Sequence, residues 1–349
     1  MKKITVAILF GGHSTEYEVS LQSACSVIEN MDTEKYQPVL LGITREGKWL
    51  QYSGELERIR DNTWYTQDCC VPAVLSPDRG THGMLVFNRG GVTEQPIDVA
   101  FPILHGKNGE DGTVQGLLEI AGIPCVGCST LSSALCMDKE IAHRLVRLAG
   151  IKTPECVVLR TPVSEMQLLK LTTQLRYPLF VKPVNAGSSV GITKVFAANE
   201  LLTAVNTAFQ YDSKVIIEES VAGFEVGCAV LGRDTLTVGE VDEIELSEGF
   251  FDYTEKYTLK TSKIHMPARV DYETSQRIKQ TAKTIYRVLE CSGFARIDLF
   301  YTPEHQIVFN EVNTIPGFTA HSRYPSMLKG IGMTFPQIID QLIKLAVRS

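Results

Sequence analysis

No apolar stretch in this sequence is long enough to cross a bilayer. The longest, such as residues 4–10 and 215–217, are strand-length, far short of the ~20 residues a spanning helix needs. Met1-Lys2-Lys3 ahead of residues 4–10 mimics a short signal peptide, but Gly11-Gly12-His13 follows with no small-residue cleavage site. The segment therefore reads as a first strand, and the protein as soluble and cytoplasmic. Blocks of Lys or Arg are also missing, and 34 basic against 40 acidic residues leave a net charge of −6. That balance argues against nucleic acid or an anionic membrane as partner. Internal repeats and biased tracts are absent from a composition that is 44% hydrophobic and 21% charged, which excludes disorder, collagen, coiled coil and repeat arrays. The nine cysteines include Cys69-Cys70 and Cys125-Val-Gly-Cys128, but no second pair at matching spacing completes a zinc site. They read as small buried hydrophobes of a reducing compartment.

Both familiar nucleotide signatures are lacking too. Residues 42–49, Gly-Ile-Thr-Arg-Glu-Gly-Lys-Trp, nearly form a P-loop, but Trp49 stands where a Ser or Thr would meet Mg²⁺. The stretch precedes a strand pattern rather than a helix, so residues 45–48 read as a hairpin turn. No Gly-x-Gly-x-x-Gly opens a helix after a strand.

What is present is an alternation of strand and helix signals. At ~100–200 residues per domain, 349 residues allow two or three domains. Residues 4–10, 36–43 and 98–104 read as strands and residues 18–31 as a helix. This is the pattern of a doubly wound α/β domain with a parallel sheet, assigned to residues 1–127. Gly80, Gly83, Gly90 and Gly91 mark a hairpin region inside it. In a second part, residues 128–221, residues 131–150 read as one helix ending at Gly150, and residues 178–183 and 192–196 as strands around a Gly/Ser loop at 185–191. Asn199 reads there as the N-cap of a helix with Leu201, Leu202, Val205 and Phe209 on one face. The third part, residues 222–349, mixes strands at 226–231, 296–301 and 307–314 with a long helix at 272–291, an α+β arrangement.

The sharpest local signal is Arg296-Ile-Asp-Leu-Phe, a turn at 303–306, then Phe309-Asn-Glu-Val-Asn-Thr. Alternation places Arg296, Asp298 and Phe300 on one face, and Glu311 and Asn313 with Phe309 on one face of the returning strand. Antiparallel pairing then clusters Asp298, Glu311 and Asn313. Two carboxylates and an amide inside a sheet cost several kcal/mol unless something neutralises them. Oxygen-only ligands suit Mg²⁺ or Mn²⁺. A solvated face with Arg296 paired to an acid is the alternative that needs no metal.

For phosphate, the candidate is residues 180–191, Phe-Val-Lys-Pro-Val-Asn-Ala-Gly-Ser-Ser-Val-Gly. Glycines let backbone N–H groups approach an anion closely, and Lys182 adds a point charge. With a strand on either side the loop forms a flap; a plain hairpin is the alternative.

Taken in order, the motifs carry a resemblance. Residues 11–20 (Gly-Gly-His-Ser-Thr-Glu-Tyr-Glu-Val-Ser), residues 104–112 (Leu-His-Gly-Lys-Asn-Gly-Glu-Asp-Gly), the 182–191 loop, Glu255-Lys256-Tyr257 and residues 310–317 are similar to D-alanine–D-alanine ligases of the ATP-grasp fold, across nearly the whole chain. The resemblance implies that the carboxylate of a first D-alanine attacks the γ-phosphate of ATP. The amine of a second substrate then attacks the acyl phosphate. It implies that Asp298, Glu311 and Asn313 hold two Mg²⁺ (or Mn²⁺) ions, which neutralise charge as the phosphoryl group transfers. Lys139 and Lys182 would contact ATP phosphates, Lys256 the γ-phosphate, and Glu218 with Glu225 the adenine and ribose. Glu219 and Val221 would line the purine slot, and Phe180, Ser189, Phe300 and Asn310 match further cofactor contacts. Glu16 matches the residue that holds the first D-alanine's ammonium, networked with Ser188 and Tyr257. Val19 and His105 match neighbours of that substrate, His105 near its carboxylate. Arg296 and the Gly317 N–H match the oxyanion donors for the tetrahedral intermediate, and Ser322 the hydroxyl that holds the second substrate's carboxylate. Residues 246–263, with Gly249, match a closing loop that excludes water, a plain surface loop being the alternative. A homodimer is expected by the same resemblance.

The second substrate is addressed by residues 319–325, Thr-Ala-His-Ser-Arg-Tyr-Pro. Many D-alanine–D-alanine ligases place Leu where Arg323 stands. Ser-Arg-Tyr-Pro resembles the vancomycin-resistance ligases, whose products end in D-serine or D-lactate. The lactate-forming branch lacks the Lys256-Tyr257 pair, and residues 250–257, with Phe250 and Phe251, are similar to the D-alanine–D-serine ligases. D-serine is thus the expected second substrate, with Arg323 supplying or organising a donor for its hydroxyl. A surface Arg323 paired with an acid is the plainer alternative. Competing readings are a housekeeping D-alanine–D-alanine ligase, an ATP-grasp ligase for an unrelated carboxylate, and a nucleotide-binding regulator without turnover. The joint presence of Lys139, Lys182, Asp298, Glu311 and Asn313 opposes the last.

Overall fold

The computed structural model describes residues 2–66, 68–187, 190–246 and 262–348. The apolar segment Ile-Thr-Val-Ala-Ile-Leu-Phe-Gly forms β1 (Ile4–Gly11), buried from Val6 onward at the heart of the first sheet. Around it stand β2 (Tyr36–Ile43), β3 (Trp49–Tyr52), β4 (Cys70–Leu75), β5 (Gly83–Asn88), β6 (Gly91–Pro96) and β7 (Val99–Ile103), in the order β6-β5-β4-β3-β2-β1-β7. Parallel pairing is confined to β2-β1-β7; outward from β2 every pair is antiparallel. The expected parallel sheet is therefore only the core of a mixed one. Parallel neighbours need a crossover of about a dozen residues or more, and the β2–β3, β4–β5 and β5–β6 turns are shorter than that; the longer 53–69 connection, with helix Leu56–Arg60, also returns antiparallel. The turn after β2 closes with Thr44 N–H on the Lys48 carbonyl at 2.9 Å and Gly47 at φ +82°.

The expected single helix at 131–150 is two, Thr130–Met137 and Lys139–Leu148. Asp138 separates them. Its backbone is extended, with ψ at 98°, and its carboxylate accepts the Ile141 N–H at 3.0 Å, an N-cap that starts a new helix. Lys139 thereby becomes the first residue of the second helix.

The second sheet holds β8 (Cys156–Leu159), β9 (Leu179–Pro183), β10 (Thr193–Val195) and β11 (Val215–Glu219), in the order β10-β9-β11-β8. Helix Ala198–Ala208 packs Leu201 and Val205 against it. Its N-cap is Ala197, not Asn199, and makes no side-chain cap; Glu200 in the first turn accepts the Phe196 N–H at 2.8 Å, tying the incoming chain to the helix start.

The third sheet is antiparallel: β12 (Phe224–Gly232), β13 (Leu236–Leu246), β14 (Ser262–His265), β15 (Gly293–Tyr301) and β16 (Ile307–Asn313), ordered β14-β13-β12-β15-β16. Helix Tyr272–Val288 packs Ile278, Ala282 and Ile285 against the sheet residues Val226, Ile297 and Leu299. Asp298 opposes Glu311 and Arg296 opposes Asn313, but the register then shifts so that Leu299 opposes Phe309. Asn310 is the extra residue of a bulge. Phe309 accordingly lies in the core with Ile297 and Leu299 instead of sharing a face with Glu311 and Asn313.

The C-terminal residues Phe294, Phe318, Tyr324 and Phe335 join Phe10, Phe101 and Ile103 of the first sheet in one apolar cluster. Ring centroids stand 6.2 Å apart for Phe101 and Phe294 and 5.6 Å for Phe294 and Phe318. The two ends of the chain thus share a core. Among the described residues no helix is long and apolar enough to cross a membrane.

Candidate functional site

The second and third sheets face each other across a cavity of about 440 Å³. Phe180, Lys182, Lys194 and Glu218 line it from the second sheet and its turns, and Glu225, Arg296, Asp298, Phe300, Asn310 and Glu311 from the third. Lys139, Arg323, and Glu219 and Val221 at the β11–β12 connection, line it as well.

On the third sheet, Asp298 is buried and receives Arg296 in bidentate fashion, Nε to Oδ1 at 2.8 Å and Nη2 to Oδ2 at 2.7 Å. Asn313 Nδ2 donates to Oδ2 at 2.8 Å. Arg323 lies beside this group. Its Nε and Nη2 bond both oxygens of Asp242 at 2.7 and 2.8 Å, and its Nη1 reaches Glu225 at 3.0 Å and Asp298 at 3.6 Å. With only 9% of its side chain exposed, Arg323 is no surface residue, but its guanidinium is paired with acids, as the plainer alternative has it.

The opposite wall is cationic. Lys182 Nζ meets Glu218 at 2.5 Å, and His143 Nδ1 stands 3.4 Å from the other Glu218 oxygen. Burial works to raise the Glu218 pKa, yet Lys182 and His143 hold the carboxyl below its ordinary value. Burial likewise works to lower Lys182, and the Glu218 charge overcomes it, leaving a firmly protonated amine. Lys139 Nζ donates to the Ala186 carbonyl at 3.0 Å and lies 3.6 Å from Glu311. It therefore ties the stem of the loop after β9 to the acidic strand. The same stem is held by Asp212, which accepts the Asn185 backbone N–H at 2.7 Å and its Nδ2 at 3.0 Å.

Glu16, Gly106 and Gly187 meet at a third corner. A Cβ at Gly106 or Gly187 would come to 2.5 or 2.9 Å from Glu16 Oε2, and Gly106, at φ +71°, also adopts a backbone conformation that favours glycine. His105 is buried, with Nδ1 2.8 Å from the Ile315 carbonyl and Nε2 3.2 Å from Ser23 Oγ. Since a carbonyl only accepts, Nδ1 carries the proton and Nε2 accepts from Ser23. Burial, only partly offset by Glu16, lowers the His105 pKa and keeps the ring neutral. Glu110 is pushed up to about 8 by burial and by Glu16, against two backbone N–H bonds and Arg296. Gly317 lies where a Cβ would be 3.2 Å from Ser322 Oγ, and that hydroxyl bonds the Thr319 N–H at 3.0 Å. Val19 is half-buried on helix Tyr17–Asn30 and is not among the cavity-lining residues. Ser188, Ser189, Phe250, Phe251, Lys256 and Tyr257 lie outside the described residues, as does most of the proposed closing loop.

Two family models cover this architecture: "D-ala D-ala ligase N-terminus" matches residues 5–128 and "D-ala D-ala ligase C-terminus" residues 145–344. The chain belongs to the D-alanine–D-alanine ligase family. It is 48% identical to the vancomycin B-type resistance protein VanB of Enterococcus faecalis, covering 99% of each chain. It is 46% identical to a D-alanine–D-alanine ligase of Caldicellulosiruptor bescii, covering 99% of this chain and 96% of that one. The crystal structure of the VanG D-Ala:D-Ser ligase of E. faecalis superposes with a TM-score of 0.92 at 58% identity, over 99% of this chain and 100% of that one. The protein is thus an ATP-dependent D-amino-acid ligase with the ATP-grasp fold.

The ligase family implies ATP and a divalent cation, and the donor set suits a hard ion. Glu311, opposite Asp298, keeps its side chain 23% exposed toward the cavity, and the neighbouring donors are carboxylate and amide oxygens. Among the described residues no group of three or more His, Cys, Asp or Glu is placed to hold a metal. Asp242, His143, Ser23 and Lys194 escaped the sequence reading of this ligase. Asp242 opposes Gly227 across β12 and β13, and a Cβ there would strike the Arg323 guanidinium. No local motif announces such a residue; the partner strand defines it. Glu110 stood inside a quoted motif without a role, and its flanking glycines were the available signal.

Proposed function

We propose that this ligase joins D-alanine to D-serine through a D-alanyl phosphate, producing altered peptidoglycan precursor termini of the kind that confer glycopeptide resistance. The observation that carries the D-serine assignment is Arg323, buried on the cavity wall and held by Asp242 and Glu225 where a leucine would offer no donor. The 58% identity to a D-Ala:D-Ser ligase supports it.

In this reading the carboxylate of D-alanine attacks the γ-phosphorus of ATP and ADP leaves. The D-serine amine then attacks the acyl carbon, phosphate departs, and the ammonium proton is released. Glu16 holds the first ammonium, with Ser188 and Tyr257. Lys139, Lys182 and Lys256 neutralise phosphate charge, and Ser189 and the flap close over it. Glu218, Glu219, Val221, Glu225, Phe180, Phe300 and Asn310 hold the nucleoside. Asp298, Glu311 and Asn313 are the residues that would hold two Mg²⁺ or Mn²⁺ ions, whose chemistry is charge neutralisation during transfer. Arg296 and the Gly317 N–H receive the oxyanion, Ser322 the second carboxylate, and Val19, His105, Phe250 and Phe251 shape the two substrate sites. The three-part division at 127 and 221, a homodimeric state and a cytoplasmic location complete the proposal.

The housekeeping reading stays in view because a D-alanine–D-alanine ligase shares 46% identity over nearly the whole chain. Phosphate release from ATP and Mg²⁺ with D-alanine fixed, and D-alanine, D-serine or D-lactate as partner, decides between them, with products weighed by mass spectrometry. D-serine should dominate in wild type, and Arg323→Leu should erase most of the preference. Equal efficiency with D-alanine and D-serine in both proteins would end the role assigned to Arg323.

A further inference from the structure

The segment carrying Gly317 runs between β16 and helix Arg323–Gly330 and belongs to no helix or strand. A loop N–H serves an oxyanion well only if it is held in place before the charge develops. Here the holding groups come from the other end of the chain. The Ile315 N–H donates to Glu110 Oε1 at 2.9 Å, and the Gly106 N–H donates to Oε2 at 2.8 Å. The Ile315 carbonyl accepts from His105 Nδ1 at 2.8 Å. The Phe318 N–H donates at 3.2 Å to Ser23 Oγ, which in turn bonds His105 Nε2 at 3.2 Å. The backbone is thus pinned two residues before Gly317 and one residue after it.

We propose that Glu110, seconded by His105 and Ser23, is a positioning residue for ligation: it clamps residues 315–318 so that the Gly317 N–H meets the developing oxyanion. The inference rests on the ligase reading above. Glu110 is not among the residues lining the cavity, so it acts through Ile315. A carboxyl suits the task because each of its oxygens accepts one N–H, joining the 104–112 motif to the 314–318 segment. Glutamine keeps one accepting oxygen and turns an NH₂ that cannot accept toward the other N–H.

The test compares wild type with Glu110→Gln in steady-state kinetics with ATP, D-alanine and D-serine, and with D-alanine alone. A dipeptide phosphinate, whose tetrahedral phosphorus mimics the intermediate, reports on the oxyanion site directly. The variant should lose about tenfold to a hundredfold in kcat, the scale of a displaced catalytic group. Its KM for ATP should stay within about twofold of wild type, and phosphinate affinity should fall by the same factor as kcat. An unchanged kcat, or a loss shared equally by ATP KM and phosphinate affinity, overturns the clamp. Should Glu110→Gln fail to fold, Ser23→Ala removes the acceptor of the Phe318 N–H and is judged by the same criteria. A wild type that makes no dipeptide from any pair overturns the ligase reading and the clamp with it. An active wild type beside an unaffected variant overturns the clamp alone.

Discussion

Glu110 accepts two backbone N–H groups while burial and the charge of Glu16 push its carboxyl up to about 8 from an ordinary 4.5. A carboxyl raised on folding binds its proton more tightly in the native state than in the unfolded chain. Its stabilising contribution is complete below the unfolded value and is lost as pH rises through the folded one. Between about pH 5 and about pH 9 the melting temperature of wild type should therefore fall relative to that of Glu110→Gln. Scanning calorimetry across that range checks it, and parallel curves would count against the raised pKa. Arg323 makes a related point. Its residue type suggested a donor, but its three carboxylate partners come from β12, β13 and β15, which are brought together only by strand register.

At the scale of elements, the break at Asp138 decides where Lys139 stands. Lys214, just before β11, bonds Asp138 at 2.5 Å and Glu140 at 3.0 Å, so it grips the residues on both sides of Lys139. Helix Lys139–Leu148 is in this way fixed to the strand that carries Glu218. Asp138→Ala removes the N-cap and the Lys214 partner together. We expect a loss of about 1 kcal/mol in urea unfolding, the usual worth of such a cap. The KM for ATP should rise severalfold, while kcat at saturating ATP changes less. An unaltered KM would show that the break does not position Lys139. The bulge at Asn310 is a second device at this scale. It buries Phe309 yet keeps Glu311 opposite Asp298, and it turns the Asn310 carbonyl to His143 Nε2 at 2.8 Å. One extra residue lets a strand serve a core and a polar cavity at once.

At the scale of the whole molecule, the first sheet and the C-terminal helices are joined by a cluster of fully buried rings. Phe318 sits at its centre, with centroids 6.0 Å from Phe101, 5.6 Å from Phe294, 5.9 Å from Tyr324 and 5.3 Å from Phe335. Truncating a buried phenylalanine typically costs ~3–5 kcal/mol. Phe318→Ala should lose about that much in denaturant unfolding. Because the cluster joins distant parts of the chain, the thermal transition should also broaden or split. A sharp transition with little loss of stability would mean that the two ends are held together elsewhere. The same join carries Ser23, His105 and Glu110 to the segment of Gly317.

Motif order alone determined the family, and strand alternation determined that Asp298, Glu311 and Asn313 would gather, because both are encoded by neighbours within a few positions. The hairpin turn at 45–48 was legible for the same reason. The two helices in place of one and the cap at Ala197 turn on single local hydrogen bonds, Asp138 to Ile141 and Glu200 to Phe196, that periodicity does not weigh, whereas the bulge at Asn310 and the mixed first sheet are set by which strands pair. Asp242 beneath Arg323 and the clamp on residues 315–318 lie furthest from the sequence. Their partners are between 81 and 295 positions apart, and only the folded core brings them within hydrogen-bonding distance.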